Sequence, residues 1–231
     1  MKIQRLAIAS ATAAVFASAA FGHGDVAPQP VNTDALPDVG EEWLTENPYR
    51  AAAAGEEVWS TAVEIGSSGY NQNCARCHGL EAISGGLAPD LRYLEAEEYG
   101  DEWYVERFVE GYTQNGITKM PAFGELLGQK AAWAIRTYIE TRPDEGALDD
   151  FNDRLKEIRD MLNEWAADPA KAGDVDALQS ELAEIAGQVE TASGAPVADS
   201  AAYRAAHALD GSDGAFKAAA ETLTIGLSAA Q

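Results

Sequence analysis

Two thiols and an imidazole fall within five residues, Cys74-Ala75-Arg76-Cys77-His78. This spacing serves three chemistries: a redox dithiol, half of a zinc site, or covalent attachment of a porphyrin, with the adjoining histidine held beneath its iron. A zinc centre needs about four ligands. The chain has no other cysteine, and His23 and His207 are its only other histidines. A thioredoxin-like dithiol calls for a βαβ setting, which the flanking sequence does not supply. The pentapeptide therefore reads as a c-type haem attachment site, with Cys74 and Cys77 forming the thioethers and His78 as the proximal ligand.

The second axial position decides what such an iron does. Apart from the initiator, the thioethers available are those of Met120 and Met161. Met120 sits in Gly116-Ile117-Thr118-Lys119-Met120-Pro121-Ala122-Phe123, a segment that can turn a side chain inward without helical geometry. Met161 lies at helical spacing with Leu155, Ile158, Leu162 and Trp165, as a core residue does. Met120 is the candidate distal ligand; the alternative is a buried loop methionine beside a five-coordinate iron. His/Met ligation raises the reduction potential and leaves no open position, which favours electron transfer over oxygen activation. A ligating histidine usually gives its other ring N–H to a carbonyl or carboxylate. Pro89, on a stiff backbone in Ser84-Gly85-Gly86-Leu87-Ala88-Pro89-Asp90-Leu91, is the candidate carbonyl.

The elements that position these residues read as all-α. Ala51 to Ile65 predicts a helix with Val58, Ala62 and Ile65 on one face. Gly66-Ser67-Ser68-Gly69 predicts a break, and Tyr70 to Cys77 a short helix with Tyr70 on the face of Cys74. Asp101 to Tyr112 predicts a helix capped by Asp101. Glu125 to Arg142 predicts a closing helix with Leu127, Ala131, Ala134, Ile135, Tyr138 and Ile139 as its buried stripe, stopped by Pro143.

Ahead of this unit, residues 1–22 read as a secretory signal: Lys2 and Arg5, the apolar run Leu6 to Phe16, then small residues that fit cleavage after Ala20 or Gly22. The apolar run is short for a span of about 20 residues, and no later segment qualifies. The mature chain is expected to lack a membrane span and to reside in the periplasm, an oxidising compartment. Residues 23–50, rich in proline and acid, predict an arm wrapped on the folded body through Trp43 and Tyr49. With 38 acidic and 16 basic residues, a formal charge of -22, the chain is a poor partner for nucleic acid or anionic membranes.

Residues 51–143 form the predicted haem domain, and residues 144–231 an alanine-rich, acidic helical extension. Leu148, Phe151, Leu155, Ile158, Leu162 and Trp165 follow amphipathic spacing. Val175, Leu178, Leu182, Ile185 and Val189 repeat it after Asp168-Pro169 and Gly173. Ala201 to Leu209 and Ala215 to Leu227 supply shorter helices, and a small antiparallel bundle buries the four stripes. The break at Pro143 predicts a separable extension. Without a second attachment motif, His207 reads as an exposed or half-buried side chain.

Attachment motif, proline loop, middle helix, Met-Pro loop and a closing helix with Trp133 and Tyr138 together resemble a class I cytochrome c. Gly24-Asp25-Val26-Ala27-Pro28-Gln29-Pro30-Val31 running to Trp43-Leu44-Thr45-Glu46-Asn47-Pro48-Tyr49-Arg50, and Trp103 to Tyr112 running to Met120-Pro121-Ala122-Phe123, are similar to the periplasmic cytochromes that accept electrons from PQQ-dependent ethanol and methanol dehydrogenases. The resemblance covers about residues 24–142. It implies one covalent haem c, Cys74 and Cys77 as attachment residues, His78 proximal and Met120 distal. It also implies a carrier rather than an enzyme, with a PQQ-dependent alcohol dehydrogenase as donor and a downstream cytochrome c or terminal oxidase as acceptor. The competing expectations are a general respiratory cytochrome serving a terminal oxidase, and a haem sensor or enzyme with an open iron.

Overall fold

The computed structural model describes residues 28–210, 212 and 214–229. The expected secretory signal, residues 1–22, and the first residues of the expected arm lie outside these. Nine α-helices, four short 3-10 turns and one two-stranded hairpin make up the regular structure among the described residues, an all-α architecture. No helix among them is long and apolar enough to cross a membrane.

Helices α1 (Ala51–Ala54) and α2 (Glu56–Asn73) replace the expected single helix, because Gly55 takes φ +84° between them. The expected break at Gly66–Gly69 does not occur: α2 runs straight through it. Both glycines are buried against α5 (Gly124–Glu140), and a Cβ at Gly66 would lie 1.9 Å from the Ala134 carbonyl oxygen. These glycines let two helix backbones touch; they do not end a helix. Tyr70 and Tyr138 stack beside that crossing, 5.3 Å between ring centres.

The helix α3 (Ala75–His78) carries the attachment motif, and α4 (Glu98–Glu110) begins before the predicted start. Asp101 is therefore not a cap. It is fully buried inside α4 and pairs with Arg136 at 2.9 Å and Arg50 at 2.7 Å. Arg50 also reaches Glu140 at 2.8 Å, and the Asn47 backbone N–H donates to Asp101 at 2.8 Å. Strands β1 (Tyr112–Gln114) and β2 (Ile117–Met120) pair antiparallel across Asn115-Gly116, both at positive φ. That dipeptide is a strong short-range hairpin signal, and it converts the expected Met120 loop into a strand end. Thr113 faces Thr118 but Tyr112 faces Met120, so Lys119 is an extra residue that bulges and redirects the side chain after it.

Helix α5 departs from the one-sided stripe. Ala131 to Glu140 is buried all round, Arg136, Thr137 and Glu140 included. The arm is the cause: Leu36, Asn47 and Tyr49 are buried, and Gln129 accepts from Leu44 N–H at 2.6 Å while donating to the Gly40 and Glu42 carbonyls. The arm is thus a wall of the core, and Trp43 rests against Phe108.

Beyond Pro143, α6 (Asn152–Ala167), α7 (Val175–Gly187), α8 (Ala201–Ala208) and α9 (Ala215–Ala229) form the predicted bundle, with α6 packed on α9, α9 on α8 and α8 on α7. Leu155, Ile158, Leu162, Leu182 and Leu223 are fully buried in it, each contributing about 1.5–3 kcal/mol of burial. Met161 packs at its edge, and His207 is exposed and stacked on Tyr203. Between α7 and α8 the chain returns to the first unit. Thr191 bridges Pro143, the Ser193 hydroxyl donates to the Glu140 carbonyl and accepts from the Ala195 N–H, and Ala198 sits in the core with Tyr138 and Ile139.

Candidate haem site

Cys74 follows directly on α2, and its N–H donates to the Tyr70 carbonyl at 2.8 Å, so the first thiol stands one turn beyond the crossing with α5. It packs against the cluster of Tyr70, Tyr104, Phe108, Phe123 and Tyr138, whereas Cys77 is exposed. Burial pushes the Cys74 thiol up to about 12, with Cys77 adding to the effect. A reactive dithiol needs a thiolate stabilised well below that.

His78 ends α3, and its Nδ1 lies 2.9 Å from the Pro89 carbonyl oxygen. A carbonyl can only accept, so Nδ1 carries the proton and Nε2 keeps its lone pair, the arrangement an iron ligand requires. The Pro89 loop is held on both sides. Ser84 N–H donates to the Asp90 carboxylate at 3.3 Å, its hydroxyl donates to the Ala88 carbonyl, and Arg92 pairs with Asp90 at 2.8 Å. Burial works to raise Asp90, but the hydrogen bonds from Arg92 and Ser84 outweigh it and hold the carboxyl below its usual range. The Tyr70 hydroxyl donates to the Gly79 carbonyl at 2.8 Å, fixing the residue after the histidine.

Met120 ends β2, half-buried against the same cluster as Cys74. Phe123 N–H donates to the Phe108 carbonyl at 2.8 Å and pins the Met-Pro segment onto α4. Met161 packs in the bundle, in a separate cluster. The structure thus puts Cys74 and Met120 on one aromatic wall and orients His78 through Pro89. Two thiols, an imidazole with a free Nε2 and a thioether are the donor set of a covalent haem, and Leu80, Ile83 and Leu87 on the neighbouring loop offer exposed apolar surface for a porphyrin to cover. The residues fit the group. Sequence reasoning missed the Asp90–Arg92 clamp and the Asp101–Arg136 pair; Asp90-Leu91-Arg92 beside Pro89 was the readable signal for the first.

Fold and site define a helical protein built to hold one covalent haem. The comparisons agree. The model of the family described as cytochrome C oxidase, cbb3-type, subunit III matches residues 61–139, ending before the bundle. Cytochrome c550 of Pseudomonas aeruginosa is 52% identical over 124 residues, which cover 54% of this chain and 83% of the relative. Two proteins of Pseudomonas putida, quinohemoprotein alcohol dehydrogenases ADH-IIG and ADH IIB, are 30% and 32% identical over 83 and 95 residues, covering 36% and 41% of this chain. The matched segments span only 11% and 12% of those dehydrogenases. No solved structure matches the chain at a significant level. The chain belongs to the cytochrome c family, and its cofactor is covalently bound haem c.

Proposed function

We propose that this monohaem electron carrier works in the periplasm, with His78 and Met120 as axial ligands, accepting electrons from a PQQ-dependent alcohol dehydrogenase and delivering them to the respiratory chain. The observation that carries the donor is the likeness of the haem region to short segments of two quinohemoprotein alcohol dehydrogenases. In those proteins the matched segment is a small part, 11% and 12%, of a chain named as a quinohemoprotein alcohol dehydrogenase.

Haem supplies a one-electron change between ferric and ferrous iron. The protein's part is to hold that centre still. Cys74 and Cys77 anchor the porphyrin, Pro89 fixes the imidazole of His78, and the bulge at Lys119 aims the Met120 thioether. The wall of Tyr104, Phe108 and Phe123 keeps water away from one side. With His78 and Met120 both holding the iron, no position would be open to a substrate, and the group would supply outer-sphere transfer of one electron.

Stopped-flow mixing with a PQQ-dependent alcohol dehydrogenase tests this reading. The cytochrome is expected to be reduced within seconds when alcohol is present, and more slowly as salt rises, since a chain of charge -22 is steered by a basic patch. The screening length falls from about 10 Å at 0.1 M to about 3 Å at 1 M salt. The family model's description, that of an oxidase subunit, favours a second reading, a general carrier serving a terminal oxidase. No reduction by the dehydrogenase alongside rapid oxidation by a terminal oxidase decides for that one.

A further inference from the structure

Arg142 lies two residues past the end of α5, and its side chain is only 1% exposed. Its guanidinium lies 4.3 Å from the centre of the Tyr138 ring, and Nε donates to the Tyr138 carbonyl at 3.3 Å. Nη1 sits between two carboxylates, Glu81 at 2.8 Å and Asp199 at 3.2 Å, while Nη2 has no partner. One carboxylate belongs to the loop that follows His78; the other belongs to the extension, just ahead of α8.

The loop it grips is a demanding one. Glu81 and Ala82, consecutive non-glycine residues, stand at φ +57° and +63°. Side chains rarely adopt this conformation, and it persists only where the surroundings over-determine it. Two residues on, Ser84 clamps Ala88 and Asp90, the neighbours of Pro89, whose carbonyl holds His78. Arg92 closes the same loop from the other side, binding Asp90 and donating to the Pro143 carbonyl at 3.3 Å. Pro143 is in turn bridged by Thr191. A third path runs through rings: Arg142 on Tyr138, Tyr138 on Tyr70, and the Tyr70 hydroxyl on the Gly79 carbonyl. All three start at the junction of α5 with the extension and end on the residues that orient the imidazole.

We propose that Arg142 is a positioning residue for His78, and that the strap of residues 190–199 completes the proximal side of the haem site by holding Arg142 through Asp199. The proposal rests on His78 as the iron ligand. It assigns the extension a task that its acidic, alanine-rich composition does not announce: fixing the donor strength of a ligand more than one hundred residues earlier in the chain. A bond from Nδ1–H to a well-placed carbonyl makes the imidazole a stronger donor and favours ferric iron. Loosening the loop weakens that bond and raises the reduction potential.

The test uses the full-length holoprotein with Asp199→Asn, Glu81→Gln and the two combined. Asp153→Asn, which removes the same charge from a fully exposed side chain on α6, is the control. Hydrogen exchange of the His78 Nδ1–H, followed by NMR in the ferrous state, and the equilibrium reduction potential are measured. Each single variant is expected to keep a low-spin spectrum, to speed exchange about tenfold and to shift the potential upward relative to the control. The double variant should add little at His78, because Asp199, which also binds Arg204 at 3.0 Å, meets Glu81 at the Arg142 guanidinium. Exchange and potential equal to the control in Asp199→Asn would overturn the proposal, whatever Glu81→Gln does, and so would fully additive effects. If the unmodified protein shows no low-spin iron and no protected His78 proton, the ligand assignment itself fails, an outcome distinct from either.

Discussion

The haem region and the bundle are both helical, yet they bury different chemistry. In the haem region the core is aromatic and charged: Tyr70, Tyr104, Phe108, Trp133 and Tyr138 are buried together with the ions Asp101, Arg136, Glu140 and Arg142, Arg136 lying over Tyr104 and Arg142 over Tyr138. In the bundle the core is mostly Leu, Ile and Ala, with Trp165 edge-on to Phe216 as its aromatic pair, and among the described residues beyond Pro143 the buried polar side chains are Ser193 and Ser200, both in or beside the strap. Its ion pairs, such as Arg154 with Glu181 and Glu157, are on the surface and contribute little stability. An aliphatic core asks only for the right shape and hydrophobicity. A core of buried ions asks for each partner in place, which suits a region that must hold ligands in one geometry.

The sharpest way to break this comparison is to remove the anchor. Cys74→Ala with Cys77→Ala is expected to abolish covalent haem completely while leaving the bundle helical. Acid-acetone extraction reads the first, and far-UV circular dichroism the second; haem that survives extraction would sink the assignment of these two thiols.

Next in size come two deletions that should separate the regions. Asp101→Ala strips the buried Arg136 of its nearer carboxylate, leaving Glu140 at 3.8 Å, and is expected to cost about 3–5 kcal/mol of haem-region stability. Leu162→Ala, a fully buried bundle position, should cost about 2–5 kcal/mol and leave the haem spectrum unchanged at temperatures below the bundle's melting. Denaturant curves followed by the haem absorbance and by far-UV signal distinguish them. Coincident transitions in both variants would mean one cooperative unit.

The smallest effect is in acid. Because the folded protein holds the Asp90 carboxyl below its ordinary range, its contribution to stability is fully present above the unfolded carboxylate pKa of about 3.9 and is lost as pH falls through the lower folded value. Absorbance of the haem should therefore be flat from neutral pH down to the usual carboxylate range and change only below it. Asp90→Asn should remove that acid step's dependence on Arg92. A transition near neutral pH would point to another group.

The two regions were also unequally legible. The bundle's four helices could be read from one-sided apolar spacing, because each has a single face to bury. Its purpose could not, since nothing in Asp199 or Ser193 announces a return to the haem side. Cys74, Cys77 and His78 could be singled out as haem candidates because attachment chemistry permits few spacings, and Met120 because glycine and proline flank it; the carbonyl expected of Pro89 does lie against the His78 ring. The helices around it were harder. Gly66 and Gly69 look like a break in one dimension and become a helix crossing only when Ala134 arrives from α5. Asp101 has the look of a cap until Arg50 and Arg136 converge on it from distant positions. The full burial of α5 depended on an arm that proline and acid composition place on the surface. The arm's aromatic residues were the correct clue, and with Tyr49 in the core its removal would disturb the fold as much as any docking face.

The account stands on a closed iron between an imidazole and a thioether, and the ferric absorption spectrum of the full-length protein tests it directly. A low-spin spectrum with a sulfur-to-iron charge-transfer band is predicted, lost on Met120→Ala and kept on Met161→Ala. A high-spin spectrum in the unmodified protein, or a band that survives Met120→Ala and disappears with Met161→Ala, would contradict it.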